Sequence, residues 1–103
     1  SAPALAHARL TSASPAQDST VKAGLAEINL TFNENVEPSL SVIELDDEAG
    51  KAIVDSKGTA VCEKNTCTLP VPPLKAGDYG VKYRALSEDG HVVEGGYAFH
   101  VTD

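Results

Sequence analysis

Hydrophobic and polar residues alternate along much of this chain with a period of two, which is the spacing of a β-strand. Gly, Pro, Asn and Asp residues separate the alternating segments, as expected for turns between strands. The predicted strands are Leu10–Ser12, Glu27–Phe32, Ser39–Leu45, Lys51–Val54, Thr66–Val71, Tyr79–Arg84 and Tyr97–Val101. About seven short strands with this spacing predict an all-β fold: one antiparallel Ig-like Greek-key β-sandwich domain.

Three local features refine this prediction. The run from Leu74 to Tyr79 resembles the entry to a tyrosine corner, in which a phenol hydroxyl bonds to backbone upstream. The acidic stretch from Glu44 to Glu48 is expected to be a solvated hairpin end. His100 alternates with the apolar residues of its strand, so we expect it on the outward, solvated face.

Composition narrows the classes of function. The 103 residues include 8 Lys+Arg and 15 Asp+Glu, which gives a formal net charge of −7, and no nucleic-acid partner is expected for so acidic a chain. No apolar run approaches the roughly 20 residues of a membrane-spanning helix, so no transmembrane segment is expected. The chain has no Met and only 2 Cys. Any metal site must therefore consist mainly of nitrogen and oxygen ligands.

The two cysteines, Cys62 and Cys67, indicate the compartment. A zinc site would need further Cys or His ligands close in sequence, and a redox motif usually has the tighter C-x-x-C spacing. We therefore favour a disulfide across a hairpin-like loop, which is typical of an oxidising compartment.

The first residues also point to export. Ala4-Leu5-Ala6 has the small-x-small form of a signal-peptidase site, and cleavage there would make His7 the first residue. We therefore predict a leader remnant at residues 1–6 and a domain over 7–103. An ordinary flexible tail is the alternative for residues 1–6.

A candidate metal site follows from two histidines and an aspartate. An N-terminal His7 would offer both its α-amine and its imidazole, and the turn at Asp89-Gly90-His91 would add a carboxylate and a second imidazole. Three nitrogens and one oxygen in a tetragonal plane suit Cu(II). An Asp-Gly pair is commonly only a turn, so both interpretations stay open on these residues alone. Ser87 precedes the turn without a nucleophile motif, and no catalytic constellation is found.

With these residues in view, the chain closely resembles the CopC family of periplasmic copper-binding proteins. The second half carries the stronger match, centred on Ser-x-Asp-Gly-His: Leu74, Gly77, Tyr79, Val81, Tyr83, Arg84, Ser87, Asp89, Gly90, His91, Gly95, Phe99 and Val101. The front half agrees at His7, Ala8, Leu10, Ser14, Pro15, Ala16, Ser19, Val21, Leu30, Phe32, Glu34 and Val36. The resemblance spans nearly all of residues 7–103, most loosely over 39–71.

The resemblance implies a periplasmic copper-resistance or copper-homeostasis protein that binds Cu(II) through His7, Asp89 and His91 and catalyses nothing. It also implies a possible partner, an inner-membrane copper permease of the CopD type, and we expect a monomer. Some relatives bind Cu(I) through a Met-rich loop, and no such thioether site is expected here. Tyr83 stands where a Trp is usual, and the Cys pair is outside the family pattern.

Two other functions remain open. One is an Ig-like interaction module without metal, in which the Asp89-Gly90-His91 turn is structural. The other is a copper-dependent oxidative enzyme, because an N-terminal His chelate also serves polysaccharide oxygenases. The small size and the absence of Trp argue against the enzyme.

Overall fold

A computed structural model describes residues 9–55 and 61–103 of the chain. Over these ranges the backbone forms strands joined by turns, with one short 3₁₀ turn at Pro38–Leu40 and no helix long and apolar enough to cross a membrane. The strands are β1 (Leu10–Ser14), β2 (Thr20–Lys22), β3 (Glu27–Phe32), β4 (Val42–Asp46), β5 (Ala52–Asp55), β6 (Val61–Glu63), β7 (Thr66–Pro70), β8 (Gly77–Leu86) and β9 (Val92–Thr102).

The strands form two sheets that pack as a sandwich. One sheet has the order β1-β3-β7-β6 and the other the order β2-β9-β8-β4-β5. The Ig-like all-β fold predicted from the alternation is confirmed. Two details differ: β2 and β6 were not predicted, and β2 pairs with β9 in parallel. Each of these strands has only three residues, too few for a period of two to be visible.

The inward faces of both sheets supply the core, as the alternation requires. Each contributes residues that are nearly or completely buried: Ile28, Leu30, Phe32, Cys67 and Leu69 from one sheet, and Ile43, Leu45, Tyr79, Val81, Phe99 and Val101 from the other. Burying one large apolar side chain contributes about 1.5–3 kcal/mol. This shared core fixes how the loops at each end of the sandwich lie against one another.

Two local predictions are confirmed. The Tyr79 hydroxyl donates a hydrogen bond to the Lys75 carbonyl oxygen at 2.7 Å, which is a tyrosine corner. Cys62 and Cys67 are joined by a disulfide and lie directly opposite each other on β6 and β7.

The prediction for the acidic stretch is wrong in part. Leu45 and Asp46 both belong to β4 and are buried, because a register shift between them in the pairing with β5 interrupts the alternation. One carboxylate oxygen of Asp46 lies 3.3 Å from the Lys82 Nζ, and the other has no hydrogen-bond partner among the described residues. Glu48, beyond the strand, is exposed as expected.

Candidate metal centre

The turn that joins β8 to β9 is held by Ser87. Its backbone N–H donates to the His91 carbonyl oxygen at 2.8 Å, and its carbonyl oxygen accepts the Gly90 N–H at 3.0 Å. Its side-chain oxygen accepts the His91 N–H at 3.1 Å and donates to the Asp89 carboxylate. Gly90 has a φ of 94°, a conformation that favours glycine. Ser87 is almost fully buried, so the turn has a fixed shape.

This turn brings the Asp89 and His91 side chains together. The Asp89 Oδ1 and the His91 Nδ1 are 3.1 Å apart, and each side chain is 45% exposed. The sequence prediction that a curled turn would make these two side chains face one point is therefore confirmed as geometry. A carboxylate beside a half-exposed imidazole offers an oxygen and a nitrogen donor to a cation that approaches from solvent.

The surroundings hold Asp89 in its ionised form. The Ser87 hydroxyl lowers the pKa of the Asp89 carboxyl most, against a smaller opposing effect of burial. A hydrogen bond from Glu34 and the nearby His91 lower it further. Asp89 therefore remains negatively charged, and able to attract a cation, at a lower pH than an ordinary aspartate.

Glu34 is the residue of this site that sequence reasoning did not select. It matched the family pattern, but nothing in its spacing places it near Asp89. The structure brings the two together because the Glu88 N–H donates to the Asn35 carbonyl oxygen at 3.0 Å and Val36 forms a β-bridge with Ser87. The Glu34 side chain lies close enough to lower the pKa of Asp89, so a second carboxyl group stands beside the turn.

The described chain also begins close to this turn. The Arg9 N–H donates to the Asn33 Oδ1 at 2.7 Å, and the Asn33 N–H donates to the Arg9 carbonyl oxygen at 3.0 Å. Asn33 directly precedes Glu34, so position 9 is tied to the segment that contacts Asp89. His7, the third predicted ligand, lies outside the described residues. Over 9–55 and 61–103, no three His, Cys, Asp or Glu side chains form a group that could hold a metal ion.

Aromatic side chains pack on the inner side of the same hairpin. Tyr83 contacts Phe32 edge-on at a centroid distance of 5.9 Å and covers Gly95 of the opposite strand. Burial raises the pKa of Tyr83, and burial together with Tyr83 raises the pKa of Tyr97 to about 12. Both phenols therefore remain neutral at physiological pH and act as packing groups.

Known proteins of similar sequence share this arrangement of strands. A family model described as the CopC domain matches residues 10–102. The chain belongs to the CopC family. Copper resistance protein C from Xanthomonas campestris pv. juglandis is 36% identical to it, with 98% of this chain and 84% of the relative covered.

Two solved CopC-family structures share the fold. The crystal structure of CopC from Methylosinus trichosporium OB3b has 40% identity and a TM-score of 0.86, with 92% of this chain and 93% of that chain covered. PcoC, a methionine-rich copper resistance protein from Escherichia coli, has 31% identity and a TM-score of 0.78, with 94% of this chain and 100% of that chain covered. Family membership and the β-sandwich are thereby shown.

Proposed function

We propose that this CopC-family protein binds one Cu(II) ion in the periplasm and buffers or carries it. The proposed ligands are the α-amine and imidazole of His7, a carboxylate oxygen of Asp89 and the imidazole of His91. The observation that carries the proposal is the 3.1 Å contact between Asp89 and His91 beside the segment that anchors Arg9.

Chain geometry supports the participation of His7. It precedes Arg9 by two residues, and an extended chain covers at most about 7 Å over two residues. Because Arg9 is bound to Asn33 and the next residue, Glu34, is bonded to Asp89, this reach is compatible with a shared site. The two carboxyl groups also give the entrance a negative potential that attracts a cation.

The donor types support Cu(II) over Cu(I). Cu(I) prefers thioether and thiolate sulfur, but this chain has no Met and its two cysteines are joined in a disulfide. We therefore propose that the chain lacks a thioether Cu(I) site, in contrast to the methionine-rich PcoC.

The remaining parts of the proposal concern processing and partners. We take residues 1–6 as a leader remnant and 7–103 as the working domain, since only a chain that starts at His7 has the required α-amine. The disulfide fits an oxidising compartment such as the periplasm. The protein would act as a monomer without catalysis and pass copper to, or receive it from, a CopD-like permease of the inner membrane.

A Cu(II) titration of two chains tests this function, one beginning at Ser1 and one at His7. We expect the His7 chain to bind one equivalent, and the Ser1 chain to bind more weakly with a different electron paramagnetic resonance (EPR) spectrum, because its His7 nitrogen is an amide. Identical affinities and spectra would remove the α-amine from the site. The absence of stoichiometric binding in both chains would contradict copper binding and favour the metal-free interaction module.

A further inference from the structure

The β6–β7 hairpin lies at an edge of its sheet, and the disulfide joins the middle one of its three residue pairs. β6 has three residues, and among the described strands it pairs with β7 alone. Val61 at its start is 66% exposed. Cys67, by contrast, is buried opposite Leu30 in the core. The Cys62–Cys67 bond therefore ties a short edge strand to the interior of the sandwich.

The tip of this hairpin, Lys64-Asn65, makes hydrogen bonds to Phe32 and Val36, the two residues that flank positions 33–35. The Phe32 N–H donates to the Asn65 carbonyl oxygen at 2.8 Å, and the Asn65 Nδ2 donates to the Phe32 carbonyl oxygen at 2.9 Å. The Val36 N–H donates to the Lys64 carbonyl oxygen at 2.9 Å. These three bonds set the position of the residues between Phe32 and Val36.

Those residues, 33–35, form what we call the bridging segment. Asn33 holds Arg9 through two hydrogen bonds, the Glu34 side chain bonds to Asp89, and the Asn35 carbonyl oxygen accepts the Glu88 N–H. The segment thus contacts the start of the described chain and the Asp89 turn at once. Its own placement depends on the bonds that the hairpin tip makes to Phe32 and Val36.

We propose that the disulfide-tied β6–β7 hairpin positions the copper site. This inference rests on the proposed function and adds Cys62, Cys67 and Asn65 as positioning residues that do not touch the metal. Opening the disulfide leaves β6 joined by three residue pairs at an exposed edge, and the tip then holds the bridging segment less firmly. The bridging segment then holds Arg9 and the Asp89 turn less firmly relative to one another, and affinity for Cu(II) falls.

Variants of the chain that begins at His7 test this role, with Cu(II) affinity and the EPR spectrum as readouts. We expect the double variant Cys62→Ser/Cys67→Ser to bind about tenfold more weakly, the lower end of the effect of groups that orient metal ligands. Asn65→Ala, which removes the side-chain bond to Phe32 but leaves the disulfide intact, should weaken Cu(II) binding about threefold, as expected for the loss of one hydrogen bond. Both should shift the copper hyperfine splitting, because the ligand geometry changes.

Thr68→Val is the matched control. Thr68 lies in the same strand as Cys67, β7, and the substitution removes the 2.7 Å hydrogen bond that it donates to Asn29 on β3. None of the hydrogen bonds described for the bridging segment involves Thr68. It should lower stability without changing affinity or spectrum. Unchanged affinity and spectrum in both test variants would overturn the inference. If the double variant does not fold, unchanged affinity and spectrum in Asn65→Ala alone would overturn it. His91→Ala in the same series separates the two proposals: if it also binds normally, the copper site itself is misassigned.

Discussion

The β8–β9 hairpin carries two aspartate–histidine pairs, one at each end, and only one of them belongs to the candidate metal centre. In the turn, Asp89 and His91 are 3.1 Å apart, and at the opposite end Asp78 and His100 are 2.7 Å apart. The two imidazoles are almost equally exposed, at 45% and 46%. By contact distance and exposure alone, the second pair would be the better candidate.

The surroundings of the two pairs differ. Asp78 and His100 face each other across the two strands on the outer face, beside a 210 Å³ concavity lined by Asp18 and Ser19. Among the described residues, neither pair belongs to a group of three side chains that could hold a metal ion. Asp89 and His91 instead lie beside Glu34, whose neighbour Asn33 is hydrogen-bonded to Arg9. The comparison teaches that an Asp–His contact alone does not identify the site, and that its position beside the segment that bonds Arg9 is what distinguishes the turn.

The largest effect is expected from replacing His91 with alanine, with the same replacement at His100 as the comparison. His91→Ala should weaken Cu(II) binding by more than about 100-fold, since even indirect partners of metal ligands contribute 10–100-fold. His100→Ala should leave the affinity within about twofold, the level of an unrelated exposed residue. Competition titration against a chelator of known affinity measures both. Similar losses in the two variants would contradict the distinction between the pairs.

A smaller effect is expected from Ser87→Ala, because the Ser87 hydroxyl is the main reason that the pKa of Asp89 is lowered. A carboxyl with a lowered pKa stabilises the fold above its ordinary pKa and loses that contribution as the pH falls through the lowered value. The variant should therefore lose acid stability at a higher pH. It should also bind copper about threefold more weakly, as expected for the loss of one hydrogen bond, and increasingly so at acidic pH.

Ser41→Ala serves as the control for this variant. Ser41 is equally buried, and its hydroxyl donates to the Glu37 carbonyl oxygen at 2.8 Å rather than to a carboxylate of the candidate centre. It should cost about 1 kcal/mol of stability and leave copper affinity unchanged. Equal copper affinities for the parent, Ser87→Ala and Ser41→Ala would show that the hydroxyl plays no part in the site.

The smallest effects concern two tyrosines of the hairpin, which report packing without metal. Tyr79→Phe removes the bond to Lys75 and should cost about 1 kcal/mol in a denaturant titration. Tyr97→Phe should cost almost nothing at neutral pH, because this buried hydroxyl has no partner among the described residues. Neither substitution should change copper affinity, and a change with Tyr97→Phe would place that phenol in the site.

The Tyr97 substitution also has a pH signature. The pKa of Tyr97 is raised from 10.0 to about 12 by burial and by Tyr83, so folding favours its neutral form. That contribution is present below pH 10.0 and is lost as the pH rises through about 12. The parent should therefore lose more stability than Tyr97→Phe over this interval, as followed by circular dichroism. Parallel losses would contradict the raised pKa.

Much of the fold was predictable because its signals are local. Alternation indicated seven of the strands, and the run that ends at Tyr79 indicated the corner whose hydroxyl bonds to Lys75. The three-residue strands β2 and β6 were missed because they are stabilised by their neighbours rather than by their own pattern. The burial of Asp46 was also missed, since it depends on a shift in pairing with β5.

The same distinction between local and tertiary features applies to the candidate metal centre. By itself, the sequence determined the turn that makes Asp89 and His91 face each other, because Gly90 and Ser87 shape it within a few residues. Tertiary structure alone decided that Glu34 bonds to Asp89 and that the hairpin tip holds the segment containing Glu34. The physical reason is range: a turn depends on the dihedral angles of adjacent residues, whereas these contacts exist only once two sheets pack on one core.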